Sequence, residues 1–320
     1  MMGVRSTPCT VKPINTQADT VADMSSAQPH GAHRHGHAAF DDERMARLIA
    51  TEGESALPIT TAAIERIKQA VRTTPARDVH RIAALGCGPG VEACALAEAF
   101  PSATVAAIDG SATMRAATQV RAVNAGVADR VQLAAIDLED DLATVGSCDV
   151  VWTAQTLHHL TNEAAAVRRF AALLPSGGVL CVLERLAPAE LHPASDGGRS
   201  GVWERVASAQ ADWYSGRVAH ASTSGIDRYA ALVADAGVTV IEATALHGTA
   251  TLPASAGADE FIVRYARGAL HNFAERLAVD DVAVLRGFVD DPSALRCPVD
   301  VHQSRILVIA RAATAKPPRD

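Results

Sequence analysis

The chain has 320 residues, 48% of them hydrophobic and only 4% aromatic, with a net charge of −7. That length can bury one large core or two modest ones, and an acidic balance without a dense Lys/Arg block excludes the basic footprint of a nucleic-acid binder. No apolar run approaches the roughly 20 residues that span a bilayer, no secretory leader is read, and six cysteines (Cys9, Cys87, Cys94, Cys148, Cys181, Cys297) show no paired spacing, so a reducing, cytoplasmic setting is expected.

Residues 1–39 mix Pro, Gly, Ser, Thr, Gln and His without periodicity, so burial there cannot offset the entropy of ordering and a disordered tail is expected. His30, His33, His35 and His37 lie in it and can chelate a divalent ion; a solvated tail or a lid over a neighbouring pocket are the other readings. No other metal site is read in the chain. Residues 40–76 hold two helical patterns, the first capped by Asp41 or Asp42 and the second by Thr60 or Thr61, with Ile64, Ile67, Ala70 and Val71 on its apolar face.

An apolar run at 82–85 then flows into Gly86, Cys87, Gly88, Pro89 and Gly90, a helical pattern follows over 91–100, and a second apolar run ends on Asp109. This order predicts a strand, a glycine loop, a helix and a strand closed by a carboxylate. Glycines let the backbone approach a ligand where a Cβ would collide, the helix N-terminus favours an anion, and Asp109 can accept from ribose hydroxyls. The third glycine comes one residue early for the G-x-G-x-x-G dinucleotide pattern, with Val91 where that pattern needs glycine.

Ser111 can cap a helix to about Asn124, which Gly126 ends. A third strand is expected over 131–136, followed by Asp137 and an acidic turn, and a fourth apolar run at 148–153 leads to His158 and His159. Either histidine can serve as a general base at the rim where parallel sheets bind ligands, or simply pack. Asn162 can cap a helix to Leu174, and Gly177 and Gly178 turn into a fifth strand at 179–183. Residues 202–214 read as an inserted helix whose Trp203, Trp213 and Tyr214 grip an apolar substrate or fill a core. A helix over 226–236 precedes a sixth strand at 238–246, two further helices cover 259–277 and 280–289, and 304–310 is a last apolar strand. The 259–277 block, with Arg264, Tyr265 and His271, is the candidate substrate cap.

The ordered motifs of 82–183 (the glycine loop, Asp109, the 135–138 run ending on Asp137 and Leu138, the 148–160 stretch, and 170–178 before strand five) resemble class I S-adenosylmethionine-dependent methyltransferases, closest to their small-molecule branch. The resemblance implies an α/β fold: a Rossmann-like, seven-stranded, mostly parallel sheet with helices on both faces, the last strand antiparallel and inserted between five and six. Here helical insertions would form a cap. One domain is expected over 40–312, with N-terminal helices at 40–76, a cofactor-binding core at 77–184, a capping half at 185–312 and a tail at 313–320. The resemblance also implies that Gly86, Cys87, Gly88, Pro89 and Gly90 hold the methionine part of S-adenosylmethionine, and that Asp109, beside Gly110, holds the ribose. Met114 would pack on adenine, Asp137 would accept from its amino group, Leu138 would offer its N–H, and the backbone of Ala154 and Gln155 would line the methionine side. One residue departs from the pattern, Ala84, where the family carries an acid two residues before its first motif glycine.

The leading expectation is methyl transfer to a small organic acceptor, with oxygen favoured, no nucleic-acid partner and no membrane. A nicotinamide-dependent oxidoreductase and a non-catalytic cofactor-binding protein are the alternatives. Asp109→Ala is expected to weaken the cofactor while leaving the melting temperature of the ligand-free protein little changed.

Overall fold

Five apolar runs, too short for buried helices and each followed by a turn, become parallel strands: β1 (Arg81–Leu85), β2 (Thr104–Ile108), β3 (Val131–Ala134), β4 (Val150–Ala154) and the first part of β5 (Val179–Pro193). Two later strands, β6 (Thr239–Leu252) and β7 (Val299–Arg311), complete a seven-stranded sheet of order β3-β2-β1-β4-β5-β7-β6, in which β7 runs antiparallel to both neighbours. This is the sheet expected from the sequence. The computed structural model describes residues 39–72, 78–218, 225–292 and 296–313, so His30, His33, His35 and His37, the break at 73–77 and the segment after 313 lie outside the described residues.

Nine helices surround the sheet among the described residues: α1 (Ala39–Ser55), α2 (Leu57–Arg72), α3 (Val91–Ala99), α4 (Ala112–Asn124), α5 (Glu163–Ala172), α6 (Val202–Val218), α7 (Gly225–Ala234), α8 (Ala256–Asn272) and α9 (Val279–Asp290). Strand residues alternate between two cores. Ile82, Val105, Trp152 and Leu307 meet Ile64 and Ile67 of α2 and Leu96 of α3 on one face. Leu85, Ile108, Val151 and Val308 meet Phe170 of α5 and Val233 of α7 on the other. A third core joins the far halves of β5, β6 and β7 to α6, α8 and α9 through Leu191, Leu252, Val301, Trp203, Phe261, Ile262 and Phe288.

Several boundaries differ from expectation, each for a local reason. Helix α1 starts at Ala39, before both Asp41 and Asp42, and α2 starts at Leu57, so neither Thr60 nor Thr61 caps it. Ala56 alone joins the two helices, its carbonyl taking the N–H of Thr60 at 2.9 Å, and Pro58, which lacks an N–H, sits where the first turn needs none. Strand β3 stops at Ala134 because it is an edge strand and β2 offers no partner beyond Asp109, whose N–H reaches Ala134 O at 3.2 Å. Strands β5, β6 and β7 run well past their apolar stretches, since only one face of their outer halves is covered and the other carries polar residues such as Glu190, Thr251 and His302. The expected caps form: Ser111 Oγ accepts from Met114 N at 3.3 Å, Asn162 Oδ1 accepts from Ala165 N at 2.9 Å, and Gly126 is left-handed at φ 69°.

Candidate functional site

The chain leaves β1 through a bend held from three sides. The N–H groups of Gly86 and Cys87 both reach Ile108 O at 2.9 Å, and Gly88 N–H donates to Asp109 Oδ2 at 2.9 Å. Asp109 Oδ1 takes the N–H of Ser111 at 2.8 Å, so one carboxylate ties the glycine bend to the start of α4. From α4, Thr118 Oγ1 donates to Gly88 O at 2.8 Å and Arg121 Nε to Pro89 O at 3.2 Å. Gly90 sits at φ 81°, and a Cβ there would lie 2.7 Å from Thr118 Cγ2, so both conformation and space exclude a side chain. Burial pushes the Cys87 thiol up to about 12, with the Asp109 carboxylate adding to the rise, which removes it as a thiolate at neutral pH.

The other expected cofactor residues occupy the neighbouring strand ends. Gly110 is exposed beside Asp109, and Met114 is half-buried in the first turn of α4. Asp137 is exposed and caps its own turn by accepting from Glu139 N at 2.9 Å, while Leu138 is buried with its carbonyl taking Arg169 Nη2 at 2.8 Å. Ala154 ends β4, and Gln155 follows at φ 51° with its N–H on Leu183 O at 2.9 Å. Both polar atoms of the Gln155 amide are buried without a hydrogen-bond partner among the described residues. A glycine-rich bend leading into a helix N-terminus, with a buried amide of unmet bonding capacity at the end of β4, fits a polar ligand such as the amino-acid part of S-adenosylmethionine.

His158 follows β4 with its side chain 37% exposed, and its Nδ1 lies 2.9 Å from Glu184 Oε2. Glu184, at 1% exposure, also accepts the N–H groups of Thr156 at 2.9 Å and Leu157 at 2.8 Å through Oε1. Three bonds hold the carboxylate in place, and the imidazole is oriented with Nε2 away from it. His159 is exposed, its ring centroid 4.0 Å from that of His158.

A second polar cluster lies beneath α1, on the face of β5 and β7 between the first and third cores. Glu52 Oε1 of α1 takes Arg185 Nη2 at 3.2 Å and Arg305 Nη2 at 3.4 Å. Burial alone would raise the Glu52 carboxyl, yet Arg185, Arg305 and Arg264 together hold it below the usual carboxylate range. Arg305 is 2% exposed and its Nη1 has no hydrogen-bond partner among the described residues. Beside it, Gln303 Nε2 donates to Glu52 O at 3.1 Å and to Ser55 Oγ. Helix α1 is thus fastened over the strand ends, and its Ile49 would be the nearest neighbour of a Cβ on Gly88, at 3.7 Å.

The expected substrate residues divide. Arg264 of α8 reaches the Glu52 cluster, and the Tyr214 hydroxyl donates to Leu186 O at 3.2 Å one residue beyond Arg185. Trp203 is buried in the third core, stacked on Phe288 at 5.5 Å, with Nε1 on Ser195 O at 2.8 Å; Tyr265 lies beside it at 6.4 Å, and Trp213 leans on Phe273 at 5.9 Å. His271 is exposed in the last turn of α8. A cavity of 390 Å³ beside α8, lined by Arg44, Asp259, Glu260, Arg267 and Arg296 among others, shares no residue with the glycine bend.

Glu184, Arg185, Glu52 and Arg305 were not among the expected site residues. Glu184 and Arg185 end the apolar run of β5 as Asp109 ends that of β2, and Arg305 is a lone charge in the last apolar strand; both patterns are readable signals of a polar site.

Residues 83–180, from inside β1 to the start of β5, match a family described as a methyltransferase domain. An uncharacterised protein of Synechococcus sp. is 38% identical over 100 residues, 31% of this chain and 24% of that protein. Trans-aconitate 2-methyltransferase of Mycolicibacterium gilvum is 35% identical over 102 residues, 32% of this chain and 36% of the relative. Methyltransferase GfsG of Streptomyces halstedii is 26% identical over 181 residues, 55% of this chain and 60% of the relative. The chain therefore spans less than two thirds of the length of each of these curated relatives. The methyltransferase-domain match runs from β1 to the start of β5, and the sheet carries the strand order expected of class I S-adenosylmethionine-dependent methyltransferases.

Proposed function

We propose that the chain transfers a methyl group from S-adenosylmethionine to a small organic acceptor, with oxygen as the favoured acceptor atom, and that residues 40–312 act as one domain whose 185–312 half caps the substrate. The observation that carries this reading is the buried Glu184 holding His158 by Nδ1. An imidazole fixed that way keeps its proton on Nδ1 and leaves Nε2 as the base for an acceptor hydroxyl. His159 is the second candidate for that role. When bound, S-adenosylmethionine supplies an already activated methyl, so the protein has mainly to align the acceptor, remove one proton and exclude water.

In the same reading Gly86, Cys87, Gly88, Pro89 and Gly90 cradle the methionine part, with Ala154 and Gln155 on its other side. Asp109 and Gly110 hold the ribose, Met114 packs on the adenine, and Asp137 and the Leu138 N–H bind its edge. Tyr214 and Arg264 stand nearest the acceptor, and the ion pairs of Glu52 keep α1 closed above it. The net charge of −7 disfavours a nucleic-acid substrate. Five unpaired cysteines among the described residues fit a reducing, cytoplasmic setting, and no helix of the described residues is long and apolar enough to cross a membrane.

Transfer of a labelled methyl group to a panel of hydroxylated, amine and carbon-acid acceptors tests the reaction. Calorimetric titration with S-adenosylhomocysteine and, separately, NADH tests the cofactor. Tight NADH binding with none for S-adenosylhomocysteine overturns the reading; homocysteine-compound binding without transfer to any acceptor leaves a cofactor-binding protein.

A further inference from the structure

Beyond Arg185, β5 loses register with β7 twice, between Arg185 and Ala187 and again between Ala187 and Glu190. Such shifts interrupt the hydrogen-bond ladder and bend the strand. Where pairing resumes, Glu190 stands opposite His302, and His192 lies two residues further along the same face of β5. We propose that Glu190, His192 and His302 bind one divalent transition-metal ion, Zn²⁺ by ligand chemistry, which clips β5 to β7 just past the two shifts and holds the capping half in place.

Each of the three residues offers a ligand atom within 4.8 Å of the other two. Bonds of about 2.0–2.2 Å at tetrahedral angles put neighbouring donors roughly 3.4 Å apart, so the side chains close on an ion by about an ångström or so, and Glu190 and His302 are exposed and have room to turn. Two imidazoles and one carboxylate select zinc-like ions over calcium or magnesium, which take oxygen ligands, and water can fill a fourth position. Two observations point to a ligand rather than a solvated sheet face. His192 Nε2 is buried with no hydrogen-bond partner among the described residues, an unfavourable state that a metal bond removes. The His192 and His302 rings are held together, centroids 4.7 Å apart. Asp300, the register partner of His192, adds negative charge next to the triad while accepting from Thr251 Oγ1 at 2.6 Å. Leu191 and Val301, on the opposite face of the same strands, belong to the third core, so fixing the strands here also fixes the seat of α6, α8 and α9.

The test is calorimetric and thermal titration with Zn²⁺ of the full chain carrying His30→Ala, His33→Ala, His35→Ala and His37→Ala, which removes the tail histidines as competitors. One ion per chain is expected, with a melting temperature raised by about 4 °C or more at a hundredfold excess over Kd. Adding His192→Ala or His302→Ala should weaken binding at least tenfold and abolish the visible absorption of bound Co²⁺, a readout that an indirect effect on folding would not mimic. If either alanine lowers the metal-free melting temperature, His192→Gln and His302→Gln take its place. No Zn²⁺ binding by the tail-substituted chain, or binding unchanged by these substitutions, overturns the proposal.

Discussion

Asp109→Ala removes the acceptor of two backbone N–H groups, Gly88 at 2.9 Å and Ser111 at 2.8 Å. Bonds to a charged acceptor contribute about 1.5–3 kcal/mol each when buried, and because Asp109 is half-buried the lower figure applies, about 3 kcal/mol for the pair. At roughly 2 °C per kcal/mol for a domain of this size, the ligand-free protein should melt about 6 °C lower. This reverses the sequence-based expectation of little thermal change, which treated the carboxylate as facing only a ligand. Affinity for S-adenosylhomocysteine should fall at least tenfold as well, since the bend proposed to receive it is no longer braced. Asp109→Asn keeps one neutral acceptor and should lose about half as much stability. Thermal melts without ligand and calorimetric titrations with S-adenosylhomocysteine on the three proteins decide the matter. A melting temperature of Asp109→Ala within about a degree of the parent would refute the bracing role; a lower one with unchanged affinity would show the ribose to be held elsewhere.

Glu184→Gln turns an amide N–H₂ or a neutral oxygen toward His158 Nδ1, so kcat should fall on the order of a hundredfold with KM for the methyl donor little changed, as steady-state kinetics would read. Gly90→Ala places a Cβ 2.7 Å from Thr118 Cγ2 at a left-handed φ of 81° and should destabilise by about 2 kcal/mol or more in urea titrations. Glu52→Gln uncouples α1 from Arg185 and from Arg305, which is 2% exposed, and should cost about 2–3 kcal/mol, reduced from the fully buried case because Glu52 is 24% exposed; urea midpoints at neutral pH check it. At the start of α9, hydrogen bonds from Arg205, outweighing burial and helped by Arg199, hold the Asp281 carboxyl at about 2, below the roughly 3.9 of an unfolded chain. Its contribution, on the order of 1–2 kcal/mol after discounting for its half-exposed arginines, is therefore complete above about pH 4 and lost as the pH falls toward 2; acid melts of Asp281→Asn should lack that loss.

Much of the candidate site's local geometry was legible because its parts are close in sequence. The glycine bend, Asp109 and the strand between them fall within a short stretch, and the turn, the helix start and the strand-end acid each carry a residue type that the backbone geometry demands. His158 was readable as a candidate for the same reason. Its partner was not, because Glu184 lies 26 residues away and meets it only when β4 and β5 pair side by side. The Glu52 cluster needs α1, β5 and β7 to converge across a separation of up to 253 residues, and no periodicity in one segment reveals such a meeting. The aromatic residues mark the opposite case: Trp203 suited a core somewhat better than a pocket, and stacking on Phe288 puts it in the core.

Sequence alone settled which segments are strands and helices from β1 to β5, because buried parallel strands must be apolar on both faces and glycine stands at most positions where φ is positive, Gln155 being an exception. Tertiary structure decided how far β5, β6 and β7 extend, which charges they bring together, and which of the aromatic residues are buried. Those outcomes depend on register between strands distant in the chain and on which face a helix covers, and both are set by packing rather than by the composition of any one segment.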